Sequence, residues 1–179
     1  MTPVGHSLTG LAIGCIVCPA SFPLRGKAAA LAVFVLLANA PDLPLPSWGH
    51  DRYDISHSVF VTTAGIVALA IMLLSLPWSR RVLTPALVIG GAVAWYSHLL
   101  LDTFYNHGQG LAMFWPLSDA RLALPIPWFT TMNRDQIFSE HNARVFGIEG
   151  VVYGAVLVLA VGLRQIVGRM SNIRRRGER

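Results

Sequence analysis

Charged side chains are scarce in this sequence. Only 13% of its 179 residues are Asp, Glu, Lys or Arg, about half of the roughly 25% found in an average soluble domain. Hydrophobic residues make up 54% of the chain, and the mean hydropathy is +0.54. This composition argues against an ordinary soluble domain and favours a membrane-embedded chain. The length allows one domain, or one bundle of membrane helices.

Cysteine is nearly absent as well. The only two cysteines are Cys15 and Cys18, in the stretch CIVC. Their spacing matches a redox motif, but their neighbours are apolar and no alternation of strands and helices surrounds them. We therefore interpret both as small buried hydrophobic side chains.

Aromatic residues interleaved with basic ones are also missing. The formal net charge is +5, but the basic residues lie in short clusters between apolar runs and at the C-terminal end. Nothing in this pattern offers rings that could stack on bases between basic side chains. We expect no nucleic-acid partner, because membrane topology explains the same charges more simply.

Long apolar runs dominate what is present. A spanning helix needs about 20 mostly apolar residues, and five segments meet this condition: 5–23, 27–43, 57–77, 82–102 and 147–168. The sequence thus predicts one all-α domain, residues 1–179, built as a multi-pass transmembrane helix bundle of about five spans. The first basic side chain is Arg25, so we expect the first span to be retained rather than cleaved as a signal peptide. Within it, Gly10 and Gly14 predict close helix approach.

The basic residues between spans one and two, between spans three and four and after span five lie on one side of such a bundle. They are Arg25, Lys27, Arg80, Arg81, Arg164, Arg169, Arg174, Arg175, Arg176 and Arg179. The positive-inside rule makes this side cytoplasmic. It therefore predicts an outside N-terminus and a basic cytoplasmic tail, residues 169–179. All six histidines and every acidic residue except Glu178 fall on the other side.

Side chains that can bind a metal lie at the outer ends of four predicted helices. His98 and Asp102, in AVAWYSHLLLDTF, are four residues apart and share a helix face. His6 opens the first span, Asp42 closes the second and His57 opens the third. Three imidazoles and two carboxylates suit zinc or a similar transition metal. We therefore predict an outer-face metal site.

Each of these residues has a simpler interpretation when taken alone. A histidine at a helix end is often just hydrogen-bonded, and Asp42 can be a turn residue before LPLP. The His98–Asp102 pair is the hardest to explain this way, because His98 lies a full turn inside an apolar span. His50, His107 and His141 are weaker candidates in polar segments.

The segment 103–146 is too long for a simple connector. It contains Phe114, Trp115, Trp128 and Phe129 among three prolines, and such aromatic residues prefer the membrane interface. Two hypotheses remain open for it: a loop on the outer membrane surface, or a partial lid over the site that admits a lipid or another amphiphile.

Five motifs resemble those of the YdjM family in both order and spacing: GHSLTG, NAPDL, SHS, SHLLLDTF and WPLSDAR. These are bacterial multi-pass inner-membrane proteins described as metal-dependent hydrolases. The resemblance covers the chain up to about residue 124. It implies a location in the bacterial inner membrane.

That family is in turn distantly similar to zinc-dependent phospholipase C and the S1/P1 nucleases. These all-helical enzymes have the ligand order His, Asp, His, His-x-x-x-Asp, and His6, Asp42, His57, His98 and Asp102 match it. By this resemblance His57, His98, Asp102 and Asp42 hold one metal ion. His6 shares Asp102 with a second ion, and Asp42 is also the candidate base.

The sequence departs from these soluble enzymes in two ways. They use a processed N-terminal amine as a ligand, and no processing is evident here. They also add a later His and His-x-x-x-Glu set, whereas His141 is followed at that spacing by Val145. The resemblance therefore implies one or two metal ions rather than three.

The expected function is a membrane-bound, zinc-dependent hydrolase that cleaves a phosphoester in a phospholipid-like substrate at the extracytoplasmic surface. Bound zinc lowers the pKa of its water toward about 7, and Asp42 is expected to orient or deprotonate that water. Asn39 and Ser58 are predicted to hold the ligands in orientation. Arg52 and Arg121 are predicted to pair with the substrate phosphate.

Two alternatives remain open at this stage. One is a metal carrier or channel, and the other is a non-catalytic, metal-binding or scaffolding membrane protein. Membrane lipids are the expected surroundings in each case, and no feature of the sequence predicts an oligomeric state.

Overall fold

The computed structural model describes residues 1–77, 82–106 and 110–177. The named secondary-structure elements in this part of the chain are all helices. Its α-helices are α1 (Pro3–Val17), α2 (Leu24–Ala38), α3 (Tyr53–Ser56), α4 (Val59–Ser75), α5 (Pro85–Asp102) and α6 (Glu140–Gly177). Two short 3₁₀ helices, Ala40–Asp42 and Gly49–Arg52, lie between α2 and α3. Among the residues predicted above to matter, Arg80, Arg81, His107, Glu178 and Arg179 lie outside the described residues.

Capping residues and prolines set the helix ends. Thr2, Ser58 and Thr84 each accept a backbone N–H hydrogen bond at the start of α1, α4 and α5 respectively, as N-cap residues do. Proline has no N–H and cannot continue a helix, so α1 stops at Val17, just before Pro19. The predicted spans 5–23 and 27–43 were therefore too long at their C-terminal ends.

The five long helices bring alternate ends to the same place. α1, α4 and α6 begin at the end of the bundle where α2 and α5 finish. At this end Glu149 of α6 contacts Thr2, which precedes α1. Asp42, which follows α2, lies near His57, which precedes α4. α1 packs mainly against α6, α2 and α5. The predicted close approach at Gly10 is confirmed, because a Cβ there would lie 2.6 Å from the Phe34 carbonyl oxygen.

α6 holds α1 at both of its ends. The buried carboxylate of Glu149 accepts hydrogen bonds from the amides of Thr2 (2.9 Å) and Gly5 (3.1 Å) and from the Thr2 hydroxyl. At the other end, Arg164 donates to the carbonyls of Ile16 (2.7 Å) and Cys18 (2.5 Å). An anion at a helix N-terminus and a cation at its C-terminus both complement the helix dipole.

Within the described residues, α6 alone is long and apolar enough to cross a membrane, over Glu140–Met170. α1 and α4 are shorter apolar helices of 15 and 17 residues. At 1.5 Å per residue such helices are only about 22–26 Å long, against a hydrocarbon core of about 30 Å. One membrane-crossing candidate is therefore clear, and the five-span topology stays a prediction.

Residues 103–106 and 110–139 are irregular in structure and are hydrogen-bonded to the end of α5. The amides of Leu124 and Ile126 donate to the carbonyls of Thr103 and Phe104. Tyr105 stacks on Phe129 with ring centroids 4.9 Å apart. The predicted connector 103–146 thus ends earlier than expected, because α6 begins at Glu140 rather than at residue 147. Whether this segment acts as a lid stays a prediction.

Candidate metal centre

All five predicted ligand side chains meet at one end of the bundle, where α1, α4 and α6 begin and α2 and α5 finish. His6 comes from the first turn of α1, His57 from the residue that follows α3, and His98 and Asp102 from the last two turns of α5. Asp42 comes from the Ala40–Asp42 turn that follows α2. The three histidines are fully buried, and the side chain of Asp102 is only 2% exposed, against 14% for Asp42.

The side chains of His57, His98, Asp42 and Asp102 lie close together. The Nε2 atoms of His57 and His98 are 3.1 Å apart. His57 Nε2 lies 3.5 Å from Asp42 Oδ1 and 3.6 Å from Asp102 Oδ2. His98 Nε2 lies 3.8 Å from Asp42 Oδ2 and 3.5 Å from Asp102 Oδ2. Each carboxylate therefore lies within 3.8 Å of both ring nitrogens.

Hydrogen bonds on the far side of each ring fix its tautomer. His98 Nδ1 lies 2.9 Å from the carbonyl oxygen of Ala38, and because a carbonyl only accepts, Nδ1 is the protonated nitrogen. His57 Nδ1 lies 3.2 Å from the Tyr53 carbonyl and 2.8 Å from the Ser56 hydroxyl. The Ser56 hydroxyl is also within reach of the Gly49 carbonyl, at 3.2 Å. It can therefore donate there and accept from His57.

The two facing nitrogens consequently present lone pairs to each other. In a neutral imidazole one nitrogen is a donor and the other an acceptor, so Nδ1–H on both rings leaves both Nε2 atoms as acceptors. Two acceptors at 3.1 Å, beside two carboxylates, repel one another unless a positive charge lies between them. This arrangement can hold a metal ion.

His6 adds a second group of potential ligands. Its ring stacks on His98 with centroids 3.6 Å apart, and its Nε2 lies 3.2 Å from Asp102 Oδ1. Neither ring nitrogen of His6 has a well-aligned hydrogen-bond partner among the described residues. The amino group of Met1 donates to the same Asp102 oxygen at 2.7 Å. His6, His98 and Asp102 form one possible metal-binding group, and Asp42, His57 and His98 form the other.

Asn39 and Ser58, the two residues predicted to orient the metal ligands, make different contacts. The Asn39 carbonyl accepts the amide of Asp42 at 3.0 Å, while the Asn39 side chain donates to Val35 and Ser7. Ser58 caps α4 and donates to the Trp115 carbonyl. The hydroxyl that contacts the His57 ring is that of Ser56, which the sequence did not single out.

Tyr53 is a second residue that sequence reasoning missed. Its ring stacks on His57 with centroids 3.8 Å apart, and its hydroxyl donates to Asp102 Oδ2 at 3.4 Å. Burial, and then the nearby carboxylates of Asp102 and Asp42, raise the pKa of Tyr53 well above its ordinary value. The phenol therefore stays protonated and remains a hydrogen-bond donor.

The predicted phosphate-binding arginines lie outside this cluster. Arg121 pairs with Asp54 at 3.1 Å and also donates to the Gly110 carbonyl. Arg52 is exposed at the end of the Gly49–Arg52 turn. The weaker candidate His141 is exposed and contacts the Thr131 carbonyl at 2.9 Å.

Fold and site together define an all-helical protein with a helix able to cross a membrane and a buried His/Asp cluster able to hold a metal ion. A family model described as YdjM inner membrane protein matches residues 1–170. The chain therefore belongs to the YdjM family of inner membrane proteins, which confirms the resemblance seen in its motifs. Comparisons with curated proteins and with solved structures gave no match.

Proposed function

We propose that this protein is a membrane-bound, metal-dependent hydrolase that cleaves a phosphoester in a phospholipid-like substrate at the extracytoplasmic membrane face. One observation carries the metal: two acceptor nitrogens, His57 Nε2 and His98 Nε2, face each other at 3.1 Å. A protonated imidazole would relieve that one contact. A divalent cation would satisfy the two nitrogens and the two carboxylates together.

The donor set fits zinc. Zinc takes imidazole nitrogen and carboxylate oxygen at about 2.0–2.2 Å, most often in tetrahedral geometry, for which neighbouring ligand atoms lie about 3.3–3.6 Å apart. The distance between the two imidazole Nε2 atoms and the four distances from these atoms to the Asp42 and Asp102 oxygens run from 3.1 to 3.8 Å. The Nδ1 contacts of both histidines supply the outer hydrogen bonds that orient metal ligands.

The two carboxylates of the site have different roles in this proposal. Zinc, when bound, lowers the pKa of its water and polarises the phosphoryl oxygen. Asp42 is the more exposed of the two carboxylates, at 14%, so it can orient the attacking water and accept its proton. Asp102 is buried and receives hydrogen bonds from Met1 and Tyr53, which suits a carboxylate that holds its position.

Location supports an amphiphilic substrate outside the cytoplasm. The basic side chains Arg25, Lys27 and Arg164 lie away from the site, at the other end of α1 and α2. The positive-inside rule places that basic end in the cytoplasm. Phe60, three residues after His57, is an exposed apolar side chain, and so is Phe114, next to the Trp115 whose carbonyl accepts from Ser58. Such groups suit contact with lipid.

Metal content and hydrolysis test this function together. The full chain, purified in detergent, is assayed by elemental analysis and with bis(4-nitrophenyl) phosphate as a generic phosphodiester. We expect about one or two zinc ions per chain and hydrolysis that chelation abolishes. His57→Ala and His98→Ala should lose both properties, whereas the control His141→Ala should keep both.

Two results would contradict the proposal in different ways. Equal zinc content in the wild type, His57→Ala and His98→Ala would contradict the proposed metal centre itself. Zinc binding without hydrolysis would instead favour a non-catalytic role, and metal-dependent uptake into liposomes would identify a carrier.

A further inference from the structure

A cavity of about 240 Å³ lies at the end of the bundle opposite the metal centre, where α1 finishes and α2 begins. Its lining comes from α1, α2, α6 and the α1–α2 connection, and consists of Cys15, Cys18, Ala20, Lys27, Leu31 and Arg164. A water molecule occupies about 30 Å³ of the liquid, and pockets for drug-sized ligands begin at roughly 300 Å³. The cavity therefore suits a group of intermediate size, such as a phosphate with one small substituent.

The two charged residues of this lining are both cations. Arg164 of α6 donates to the carbonyls of Ile16 (2.7 Å) and Cys18 (2.5 Å), which uses two of the five N–H donors of a guanidinium. Its other N–H groups can donate to a ligand in the cavity. Lys27 of α2 brings an ammonium group with three further donors to the same cavity.

No carboxylate balances these two charges at this end of the bundle. Residues 1–41, 55–101 and 150–177 contain no Asp or Glu, and they include the ends of all five long helices on this side. Lys27 and Arg164 are both partly buried, and a buried charge is costly without a partner. Lys27 also lies in the first turn of α2, which has no side-chain cap, and a cation there opposes the helix dipole. A negatively charged ligand would satisfy all of these groups together.

The surroundings of the cavity suit a lipid rather than a free anion. Arg164 lies six residues before Met170, the end of the membrane-crossing stretch of α6, which is about 9 Å at 1.5 Å per residue. A long basic side chain this close to a helix end can reach the headgroup layer. Ile16, Leu24 and Leu163, close in the chain to lining residues, are exposed apolar side chains. Such side chains suit contact with acyl chains.

We propose that this cavity binds the phosphate of an anionic phospholipid headgroup through Lys27 and Arg164. Hydrogen bonds from cationic donors to phosphate are among the strong ones, and basic pockets between membrane helices on the cytoplasmic side are typical sites for anionic headgroups. Since Arg164 also holds the last carbonyls of α1, the bound lipid links α1, α2 and α6.

This site is separate from the metal centre. Cys15, in the lining, and His6, in the metal centre, are nine residues apart on α1, about 14 Å along the helix. The lipid site therefore goes beyond the proposed hydrolysis and does not depend on it.

Affinity for a short-chain lipid tests the site. Dihexanoyl phosphatidylglycerol, dihexanoyl phosphatidylcholine and glycerol 3-phosphate are titrated separately into the full chain in an uncharged detergent, by isothermal titration calorimetry. We expect the wild type to prefer phosphatidylglycerol to the zwitterionic phosphatidylcholine. Lys27→Gln should bind phosphatidylglycerol about tenfold more weakly, the loss of one hydrogen bond to a charged group. Lys27→Arg, which keeps the cation, should retain most of the affinity.

Two variants act as controls. Arg25→Gln removes a cation from the same turn of α2, but Arg25 is exposed and does not belong to the cavity lining, so it should bind the lipid as the wild type does. His57→Ala removes a ligand of the proposed metal centre and should also keep this affinity. A chain that lacked zinc and hydrolysis yet bound phosphatidylglycerol through Lys27 would contradict the proposed function alone.

The probes separate the lipid from a free phosphate compound. Weaker binding of both phosphatidylglycerol and glycerol 3-phosphate in Lys27→Gln would show that the phosphate alone is recognised. Weaker binding of the lipid alone would show that its acyl chains are needed as well, and either result supports the site. Unchanged lipid affinity in Lys27→Gln, an equal loss in Arg25→Gln, or lost lipid binding in His57→Ala would overturn it.

Lys27 is the cleaner of the two positions for this test. Arg164→Gln also removes the hydrogen bonds that hold the end of α1, so its effect on lipid binding includes a change in the helix end itself. Circular dichroism and thermal unfolding of Lys27→Gln without lipid check that its fold is that of the wild type.

Discussion

His98 donates through Nδ1 to the carbonyl oxygen of Ala38, 60 residues earlier in the chain, at a distance of 2.9 Å. This bond joins α5 to the last residue of α2 and turns the Nε2 lone pair of His98 toward His57. The geometry of the candidate metal centre therefore depends on how α2 and α5 pack.

Metal removal should destabilise the folded protein. Without a cation, the lone pairs of His57 and His98 and the carboxylates of Asp42 and Asp102 repel one another inside the bundle. We expect a chelator to lower the Tm of the detergent-solubilised chain by several degrees, because a ligand bound only to the folded state stabilises it. Differential scanning fluorimetry with zinc added back measures the effect. A His98→Ala variant that responds to the chelator as strongly as the wild type would contradict this prediction.

Ser56 and Ser58 should differ in their effect on zinc. The Ser56 hydroxyl contacts His57 Nδ1 at 2.8 Å, so we expect Ser56→Ala to weaken zinc affinity about 10-fold or more, as losses of such outer hydrogen bonds do. Ser58 caps α4, so Ser58→Ala should cost about 1 kcal/mol of stability and leave zinc affinity unchanged. Competition with a fluorescent zinc chelator measures the affinities. If Ser58→Ala lowered zinc affinity and Ser56→Ala did not, Ser58 rather than Ser56 would be the residue that orients His57.

The sequence predicts the centre of this site better than its surroundings, for a physical reason. An imidazole and a carboxylate inside apolar helices, such as His98 and Asp102, are costly unless they have a role, so they stand out. Tyr53, Ser56 and Asn142 are ordinary residues for polar connecting segments. Only the packing of α3 and of the turn at 133–137 gives them their contacts.

The helix ends, too, were predicted from the sequence only in part. Pro19 and Pro85 mark the end of α1 and the start of α5, and both are visible in the sequence. Hydropathy alone carried the first span to residue 23, because apolar residues continue beyond Pro19. α6 begins in the polar stretch SEHNAR, before the apolar run on which the fifth span was placed. Asn142 turns inward there and donates to the carbonyl of Asn133 in the preceding turn.

Sidedness can be tested with single cysteines. Cys15 and Cys18 are first replaced by Ala, and Arg52→Cys and Arg169→Cys are then made separately at exposed positions. We expect a membrane-impermeant maleimide to label intact cells through position 52 and not through position 169, because the positive-inside rule keeps the basic end cytoplasmic. Labelling of position 169 alone would reverse the predicted orientation.

The contact between Glu149 and the start of α1 should contribute measurably to stability. Glu149→Ala leaves the buried amides of Thr2 and Gly5 without their acceptor, and a buried unsatisfied donor costs about 1–3 kcal/mol. We expect a lower free energy of unfolding and a weaker zinc site, because α1 carries His6. Glu140→Ala, at an exposed position on the same helix, is the control and should change neither. Equal stability of the two variants would mean that the cap contributes little.

Two glycines in different surroundings should respond in opposite ways to alanine. At Gly10 a Cβ would lie 2.6 Å from the Phe34 carbonyl oxygen, whereas at Gly154 no heavy atom lies within 4 Å. Gly10→Ala should therefore push α2 away from α1 and lower stability by about 1–3 kcal/mol. Since α2 leads into Asp42 and ends at Ala38, the same variant should also weaken zinc binding.

Gly154→Ala should leave stability equal or raise it by up to about 1 kcal/mol, because alanine is the better helix former. Thermal unfolding and zinc titration of both variants in the same detergent make the comparison. If Gly10→Ala lowered stability and left zinc affinity intact, the metal ligands would be held without the α1–α2 contact. Their positions would then depend on other contacts of the site, such as the Asn39 carbonyl that accepts the amide of Asp42.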